Sequence, residues 1–281
     1  MNVAITGASG FIGRAVAEHL GSRGHSVRPV SLRAGLPPDA LAGANAVIHL
    51  AGEPVAQRWT AAARDRIMRS RVEGTRALVA AMRGQPPQVL ISASAVGYYG
   101  SRGDEILTEA APPADDFLGK VALSWEEEAQ AAEPLGVRVA RLRIGVVLGQ
   151  KGGALARMLL PFRLGVGGRL GSGHQWMSWI HLNDLIALID FLLKESTVRG
   201  AFNATSPFPV TNREFTRALA EAVRRPAIFP VPALALKLMF GKMSEVLLAS
   251  QRAFPDAAQR AGFVFRHPDI YAALAQIVRG A

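Results

Sequence analysis

A glycine loop near the start of the chain constrains the fold more than any other feature. The sequence Thr6-Gly7-Ala8-Ser9-Gly10-Phe11-Ile12-Gly13 follows a short apolar run at 2–6 and opens a stretch with helical spacing at 11–20. Glycines at these spacings allow a tight turn, close approach of a pyrophosphate to the backbone and close contact between helix and strand. The free N–H groups at the start of the helix supply an anion site. The loop therefore predicts a dinucleotide-binding unit, with a plain turn as the alternative.

Strands and helices alternate through the first 150 residues. Apolar runs that predict strands lie at 2–6, 26–31, 45–50, 88–92 and 137–147, and patterns that predict helices lie at 11–20, 60–82 and 116–132. Strands separated by helices of this length require right-handed crossovers, so they form a parallel sheet that is covered on both faces. The predicted fold class is α/β, with a doubly wound parallel sheet.

The pattern changes after residue 150, where glycines and prolines become frequent. A short helix is predicted to end near Pro161, and five glycines at 165–173 predict a long loop, which in compact proteins is usually functional or mobile. Three more elements of the sheet are predicted next, a strand at 176–180, a helix at 183–193 and a strand at 201–204. From Thr211 onward the chain is mostly helical.

These patterns divide the chain into two parts. Residues 1–150 form the predicted dinucleotide-binding domain, and 176–203 return to it. The segments 151–175 and 204–281 form a smaller, mainly helical lobe on the substrate side, packed over the C-terminal edge of the sheet.

The end of the predicted second strand distinguishes between the two nicotinamide dinucleotides. A ribose 2′-hydroxyl is bound by Asp or Glu at this position, whereas a 2′-phosphate requires Arg or Lys and no carboxylate. The sequence from Val27 to Arg33 is Val-Arg-Pro-Val-Ser-Leu-Arg, and the first acidic residue after it is Asp39. We therefore predict that Ser31 and Arg33 bind a 2′-phosphate, with a solvated Arg33 as the alternative, and that Arg28 lies too early in the strand. The predicted cofactor is NADP(H).

The number and distribution of charged residues indicate which kinds of partner the protein binds. The chain has 32 Lys and Arg against 22 Asp and Glu, a formal net charge of +10, but the arginines of the 60–82 helix are scattered around it and no block of five basic residues occurs. We predict no nucleic-acid or membrane partner, and expect a weak attraction for anionic small molecules. The chain has no cysteine, and we find no signal peptide or membrane span in its sequence, so the predicted location is the cytoplasm.

Several motifs taken together resemble those of the extended short-chain dehydrogenase/reductases, in the sugar-nucleotide epimerase-like branch. The motifs are the glycine loop at 6–13, His49-Leu50-Ala51-Gly52, Gly74-Thr75, Ser92-Ala93-Ser94, Arg143-x-Gly145 and Trp179-Ile180-His181-Leu182-Asn183-Asp184. A narrower resemblance, to the subgroup called epimerase family protein (family 39U), rests on residues 49–53, 58–60, 94–100, 159–163 and 171–176. The resemblance covers essentially the whole chain.

This resemblance implies a Rossmann-type sheet, NADP(H), a cytosolic setting in bacteria and often a homodimer through the helices at 60–82 and 117–132. It also implies a C-terminal extension of unknown function at about 230–281. Within the family's motifs, Gly7, Gly10 and Gly13 match the pyrophosphate loop, Ala51 and Gly52 match the loop beside the adenine ribose, and Ser94 matches the active-site serine. The predicted cofactor-binding residues are Gly7, Ser9, Gly10, Phe11, Ile12, Gly13, Ser31, Arg33, Leu50, Ala51, Gly52, Glu53 and Arg71.

The catalytic pattern of the family is incomplete in this sequence. The family uses a Tyr-x-x-x-Lys pair, in which the lysine lowers the pKa of the tyrosine so that its hydroxyl can exchange a proton with the substrate. The matching segment, from Asp115 to Trp125, contains no tyrosine. If Phe117 holds the position of the tyrosine, Val121 holds that of the lysine, and both functional groups are missing.

Two tyrosines after Ser94 offer a replacement for the missing hydroxyl. Tyr98 or Tyr99 could face the nicotinamide, with Lys120 or Arg71 as the nearby cation; Arg71 itself stands where the family often has asparagine. The alternative is that both tyrosines are packing residues. The predicted catalytic residues are Ser94, Tyr98, Tyr99 and Lys120.

The histidines are assigned by their positions. His49 ends an apolar strand and is predicted to make a structural hydrogen bond, and His181 precedes Asn183-Asp184, which resembles a helix N-cap. His174 and Gln175 lie in the glycine-rich loop and are predicted to contact the substrate. No His, Asp or Glu cluster has the spacing of metal ligands, so no metal is predicted.

Two functions remain open at this point. The first is an NADP(H)-dependent oxidoreductase or epimerase-like enzyme that acts on a small carbonyl or hydroxyl compound, for which the arginines favour an anionic one. The second is an NADP(H)-binding regulatory or redox-sensing protein that has lost catalysis, which the missing Tyr and Lys would explain.

Overall fold

The fold is described from a computed structural model, which covers residues 1–33, 35–37 and 39–280. The strands are β1 (Asn2–Thr6), β2 (Ser26–Val30), β3 (Ala46–His49), β4 (Val89–Ala95), β5 (Ile106–Leu107), β6 (Arg138–Ile144), β7 (Val146–Leu148), β8 (Trp176–Met177), β9 (Trp179–His181), β10 (Gly200–Ala204), β11 (Val210–Thr211) and β12 (Arg252–Ala253). The helices are α1 (Phe11–Ser22), α2 (Ala61–Ala81), α3 (Phe117–Gln130), α4 (Gly153–Arg163), α5 (Leu182–Lys194), α6 (Asn212–Val223), α7 (Ala233–Phe240), α8 (Ser244–Leu248), α9 (Asp256–Arg260) and α10 (Ile270–Arg279).

Six strands form one parallel sheet in the order β2-β1-β3-β4-β6-β10. Successive side chains of a strand point to opposite faces, so Ile5 packs into the core that α1 and α5 share with the sheet, whereas Ala4 packs into the core beneath α2 and α3. Both faces are therefore covered by helices. The prediction of a doubly wound, Rossmann-type sheet with a mainly helical C-terminal part is confirmed.

The two long helices begin at polar caps. The Thr60 side chain accepts a hydrogen bond from the Ala63 N–H at the start of α2, and the Asp116 side chain accepts one from the Gly119 N–H at the start of α3. A cap lies outside the helix proper, so each helix starts one residue later than predicted.

The predicted strand at 137–147 is wrong as a single element. It divides at Gly145 into β6, which lies in the main sheet, and β7, which pairs with β9. A Cβ on Gly145 would lie 2.5 Å from the Ser178 carbonyl oxygen, so only glycine allows the two backbone segments to approach this closely. The predicted strand at 176–180 also divides, into β8, which pairs with β11, and β9, which pairs with β7. Neither lies in the main sheet, so the expectation that this strand belongs to it is wrong.

The C-terminal residues are joined to the rest of the molecule by backbone hydrogen bonds. Leu170 of the glycine-rich loop bridges to Val231, and β12 pairs with β5. Helix α10 packs against α6 in a separate apolar core. Within the part of the chain that the structure describes, no helix is long and apolar enough to cross a membrane.

Candidate functional site

The glycine loop adopts a geometry that requires glycine at two positions. Gly7 has φ +72°, and a Cβ there would lie 2.8 Å from the Ala51 nitrogen. A Cβ on Gly13 would collide with the Gly7 carbonyl oxygen. Gly10 is the N-cap of α1 and provides no side-chain cap, so the first N–H groups of this helix are available to an anion. The loop thus fits a pyrophosphate.

The loop after β3 lies beside the glycine loop and is held by α2. The Ser70 hydroxyl accepts a hydrogen bond from the Glu53 N–H at 3.0 Å, and the Arg71 guanidinium donates to the Glu53 carbonyl at 3.0 Å. A Cβ on Gly52 would lie 3.0 Å from the Arg71 guanidinium carbon. Burial lowers the pKa of Arg71 to about 10, so the side chain stays cationic at neutral pH. The structure therefore places a positive charge beside the predicted adenine-ribose loop.

Ser31 and Arg33 follow the carboxyl end of β2 and are exposed. Thr6 of β1 pairs with Val30 of β2, so the residues that follow both strands lie at the same edge of the sheet. Arg28 instead donates to the Ala42 carbonyl at 3.0 Å, away from that edge. The geometry is compatible with the prediction that Ser31 and Arg33, but not Arg28, bind a 2′-phosphate.

A buried polar network occupies the carboxyl ends of β4 and β6. The Ser94 hydroxyl donates to the Glu126 carboxylate at 2.7 Å, and Arg143 donates to both oxygens of that carboxylate, at 2.8 and 2.9 Å. Burial alone would lower the pKa of Arg143, but the hydrogen bonds and charge of Glu126 outweigh it and raise the Arg143 pKa above its ordinary value. The Ser94 hydroxyl therefore already has a hydrogen-bond partner within the protein, and the residue as a whole is only 3% exposed.

Tyr99 belongs to the same network. Its hydroxyl donates to the Asn203 side-chain oxygen at 2.7 Å and accepts from Arg143 at 2.9 Å, and the residue is fully buried. Burial raises the pKa of Tyr99 to about 12, against the opposing charge of Arg143. These contacts describe a structural hydroxyl and give no support to a catalytic role for Tyr99.

Tyr98 differs from its neighbour. Its ring lies over the Arg143 guanidinium at 3.5 Å and packs at its edge against Tyr99. Within residues 1–33, 35–37 and 39–280, its hydroxyl makes no hydrogen bond and is not among the fully buried, unpartnered polar atoms. Of the three predicted hydroxyls, Tyr98 alone is uncommitted.

The start of α3, which the sequence resemblance predicts to match the family's Tyr-Lys segment, presents apolar side chains. Phe117 packs against Trp59 and beneath Arg64, whereas the Leu118 side chain faces Gly97 in the loop after β4. The residue that α3 turns toward that loop is therefore Leu118 rather than Phe117. Val121 is buried, and Lys120 is exposed, with a side chain that makes no hydrogen bond to any described residue.

His49 has the structural role that its position predicts. Its Nδ1 lies 2.6 Å from the Thr6 hydroxyl and its Nε2 lies 2.9 Å from the Thr75 hydroxyl. Burial, with a smaller contribution from the Arg71 charge, lowers the pKa of His49 to about 4. The ring is therefore neutral at pH 7 and links β1 to α2.

His181 itself caps α5, so the sequence-based assignment of this cap to Asn183-Asp184 is wrong. The His181 Nδ1 accepts a hydrogen bond from the Asn183 N–H at 3.1 Å. The Asp184 carboxylate instead accepts from the backbone N–H groups of Arg266 and His267.

The two predicted substrate residues have different surroundings. His174 is exposed, and its Nε2 lies 2.9 Å from the Arg213 guanidinium. Gln175 is buried, and its amide donates to the backbone carbonyls of Leu170 and Leu247, at 3.0 and 3.4 Å. His174 is open to a ligand, whereas Gln175 holds the glycine-rich loop together.

Glu126, Arg143 and Asn203 were missed as site residues. Arg143 lies between the apolar residues Leu142 and Ile144 of β6. A cation on a central strand requires a buried partner. That signal could have indicated the network, although the sequence does not show that Glu126, on another element, is the partner.

The chain is similar to known proteins in both sequence and fold. The profile of the "NAD dependent epimerase/dehydratase family" matches residues 3–205, and that of a domain of unknown function, DUF1731, matches 231–277. An epimerase family protein of Mycobacterium bovis is 40% identical over 288 residues, which cover 97% of this chain and 96% of the relative. An Arabidopsis thaliana protein named "SDR39U1 homolog, chloroplastic" is 37% identical over 303 residues, with 99% and 87% covered.

A solved structure extends the similarity to the whole fold. The crystal structure of human epimerase family protein SDR39U1 (isoform 2) with NADPH matches with a TM-score of 0.92 and 33% identity, over 100% of both chains. Because one relative is named chloroplastic, the cytoplasmic location of this chain stays a prediction.

Proposed function

Because this chain belongs to the NAD dependent epimerase/dehydratase family, we propose that it binds NADP(H) and acts on a small carbonyl or hydroxyl compound as an oxidoreductase or epimerase-like enzyme. The observation that carries the proposal is the uncapped start of α1 next to Gly7 and Gly13, where backbone N–H groups are free for a pyrophosphate. The human relative was crystallised with NADPH. When bound, this cofactor supplies or accepts a hydride at its nicotinamide ring.

Residues of this chain would hold the pyrophosphate and the 2′-phosphate of the cofactor. The N–H groups at the start of α1 bind the pyrophosphate, and the Arg33 guanidinium and Ser31 hydroxyl bind the 2′-phosphate. The cation of Arg71, beside Gly52, adds a favourable charge near the adenine ribose.

Tyr98 is the proposed proton donor or acceptor for the substrate oxygen. The Ser94 hydroxyl donates to Glu126 and the Tyr99 hydroxyl to Asn203, so neither holds a free proton. Tyr98 has the remaining uncommitted hydroxyl after β4, and the Arg143 guanidinium packs against its ring at 3.5 Å, which holds the ring in place. Exposed Lys120 makes no contact that supports its predicted catalytic role.

The proposed substrate is anionic. His174 and Arg213 form an exposed pair next to the glycine-rich loop, and the N–H groups of an imidazole and a guanidinium can together bind a carboxylate or phosphate. No nucleic-acid or membrane partner is proposed. The homodimer through α2 and α3 remains a prediction.

The alternative function is an NADP(H)-binding regulatory protein. One observation favours it: α3 turns Leu118 toward the loop after β4, packs Phe117 against Trp59 and buries Val121, so none of these three residues offers a proton donor there. Without a positioned proton donor, hydride transfer loses roughly 10²–10⁴-fold in rate.

One experiment separates the two functions. NADPH affinity is measured by fluorescence, and NADPH oxidation is then followed against a panel of small keto acids and aldehydes. For the enzyme we expect turnover that falls about 10²-fold or more in Tyr98→Phe with NADPH affinity unchanged. The third tyrosine, Tyr271 in α10, provides the matched control Tyr271→Phe, which should keep full turnover.

The remaining outcomes are equally informative. Tight NADPH binding without oxidation by any panel member would support the regulatory function. Full turnover in Tyr98→Phe would remove Tyr98 from the mechanism, and absence of NADPH binding would overturn both functions.

A further inference from the structure

Helix α7 is almost entirely apolar but is scarcely buried. Its sequence, Ala-Leu-Ala-Leu-Lys-Leu-Met-Phe, has a single polar residue, Lys237, and Leu236 is its one buried residue. A helix that is apolar on all sides is normally covered on all sides. In α7, however, Leu234, Leu238 and Met239 are each at least 67% exposed. The helix therefore presents an apolar face that no described residue of the same chain covers.

The segment before α7 carries two further exposed apolar residues, Ile228 and Phe229. We call these two residues, together with Leu234, Leu238 and Met239, the α7 surface. Single apolar residues on a protein surface need no explanation. Five of them between positions 228 and 239 do, because they lie within one short stretch of chain.

A second exposed apolar stretch runs beside the α7 surface. It comprises Leu160 and Leu164 of α4 and Val166 of the following loop. The Gly171 N–H donates to the Val231 carbonyl at 2.9 Å, so the chain that follows Val166 lies alongside the chain that enters α7. Of the thirteen large apolar residues that are exposed in the described chain, eight lie in these two stretches. This concentration in one region indicates a contact surface.

The extent of this region is sufficient for a stable protein interface. A large apolar side chain that is about two-thirds exposed presents on the order of 100 Å², so the eight residues present roughly 800 Å². The largest apolar patch of a typical monomer measures about 300–600 Å². A standard interface buries about 800 Å² on each partner. The region therefore has the area that one copy contributes to an association between two proteins.

The charges beside the α7 surface have both signs. Lys242 and Glu245 follow α7 closely, are exposed, and form no ion pair within the described chain. In a two-fold contact each patch meets its own copy, so Lys242 of one copy can lie beside Glu245 of the other, twice. The long stem of Lys237 can pack on the apolar face while its ammonium stays in water. A rim of one sign would favour a partner of opposite charge, whereas a mixed rim is complementary to itself.

We propose that a second copy of this chain covers the α7 surface, with the two α7 helices packed against each other about a two-fold axis. The contact buries Leu234, Leu238 and Met239 of both copies. It uses a different face from the homodimer that is predicted through α2 and α3. It involves none of the residues assigned to NADP(H) or to proton transfer, so it is independent of the proposed function.

Sedimentation velocity of the full chain over a range of concentrations tests this contact. We expect the wild type to associate reversibly. Leu238→Asp, which would bury a carboxylate in the apolar contact, should raise the dissociation constant of this step at least about a hundred-fold. Val264→Asp is the matched control and should associate like the wild type, because Val264 is 76% exposed and lies outside the α7 surface. If the copies also associate through α2 and α3, the wild type is a tetramer and Leu238→Asp a dimer.

Cross-linking gives a second measurement, because the chain has no cysteine of its own. A short bismaleimide reagent should link Leu238→Cys into dimers and leave Val264→Cys largely unlinked. Far-UV circular dichroism spectra that match the wild type establish that each variant is folded.

Three results would overturn the proposal: a wild type that does not associate as its concentration rises, association that is unchanged in Leu238→Asp, and equal cross-linking of the two cysteine variants. Vesicles of phosphatidylcholine and phosphatidylglycerol provide a further comparison. If a monomeric wild type sediments with the vesicles and Leu238→Asp does not, a membrane covers the α7 surface in place of a second copy. None of these measurements requires NADPH, so their failure leaves the proposed function untouched.

Discussion

The Glu126 carboxylate and the Arg143 guanidinium form a buried ion pair with two hydrogen bonds, at 2.8 and 2.9 Å, and both side chains are 5% exposed or less. The pair links α3 to β6, and its second connection, to Ser94, reaches β4. Three elements that surround the candidate active site are thus fixed by one carboxylate.

Removal of the charge of Glu126 should destabilise the protein strongly. Glu126→Gln leaves the buried Arg143 cation without its counter-ion, which typically costs about 3–5 kcal/mol. Glu128 lies on the same helix and pairs with exposed Arg76, so Glu128→Gln should cost less than about 1 kcal/mol. Urea unfolding of both variants measures the difference, and similar losses in the two would contradict the assignment of Glu126 as the buried anchor.

His49 should make the stability depend on pH. Its pKa is lowered from 6.5 to about 4 in the fold, so the unfolded chain binds more protons than the folded chain between these values. The stabilisation is therefore complete above about pH 6.5 and is lost as the pH falls toward 4, at about 1.4 kcal/mol per pH unit.

The measurement is the free energy of unfolding between pH 7 and 4.5. His49→Gln should flatten the slope, since the titrating group is removed, while the carboxylates contribute equally in both proteins. His174→Gln, which changes an exposed histidine, should keep the wild-type slope. If the unfolding free energy of His49→Gln kept the wild-type pH slope, His49 would bind protons equally in the folded and unfolded chains, and its pKa would not be lowered by the fold.

Arg33 should set the preference for NADPH over NADH. Arg33→Ala removes a charge-assisted hydrogen bond to the 2′-phosphate, so NADPH affinity should fall about ten-fold or more while NADH affinity stays constant. Arg28→Ala is the control, because Arg28 donates to the Ala42 carbonyl. Fluorescence titrations at fixed salt give both dissociation constants, and an unchanged ratio in Arg33→Ala would place the 2′-phosphate elsewhere.

Gly13 and Gly21 provide a matched pair within α1. A Cβ on Gly13 would collide with the Gly7 carbonyl, whereas one on Gly21 meets open space. Gly13→Ala should cost about 1–3 kcal/mol and impair NADPH binding, because the loop must move. Gly21→Ala should stabilise the helix by about 0.5–1 kcal/mol and leave binding intact. Thermal unfolding and NADPH titration test both effects, and intact NADPH binding in Gly13→Ala would separate the loop from the cofactor.

The sheet and the glycine loop could be predicted from the sequence because their signals are local. The apolar run at 2–6 and the spacing of Gly7, Gly10 and Gly13 lie within one short segment, and the observed β1 and α1 agree with them. The division of one predicted strand at Gly145 could not be predicted, since it depends on contact with Ser178. Apolar periodicity continues through Gly145 without a break.

The polar network around Ser94 could not be predicted from the sequence for the same reason. Ser94 was identified from its motif, but its partner Glu126 lies 32 residues further along the chain and Asn203 lies 104 residues from Tyr99. Only the folded arrangement reveals that two of the three predicted hydroxyls are already committed. Local sequence patterns identify which groups are reactive, whereas tertiary contacts decide which of them are free.

The contacts of residues 251–254 impose an order on biosynthesis. The main sheet is complete by Ala204, yet the Asn203 amide donates to the Phe254 carbonyl and the Ser178 hydroxyl donates to the Gln251 carbonyl. After Ala204, a ribosome must therefore add about fifty more residues before both of these side chains can make these contacts. The nascent chain can close its sheet early, but the region around Tyr99 matures only when the C-terminal residues arrive.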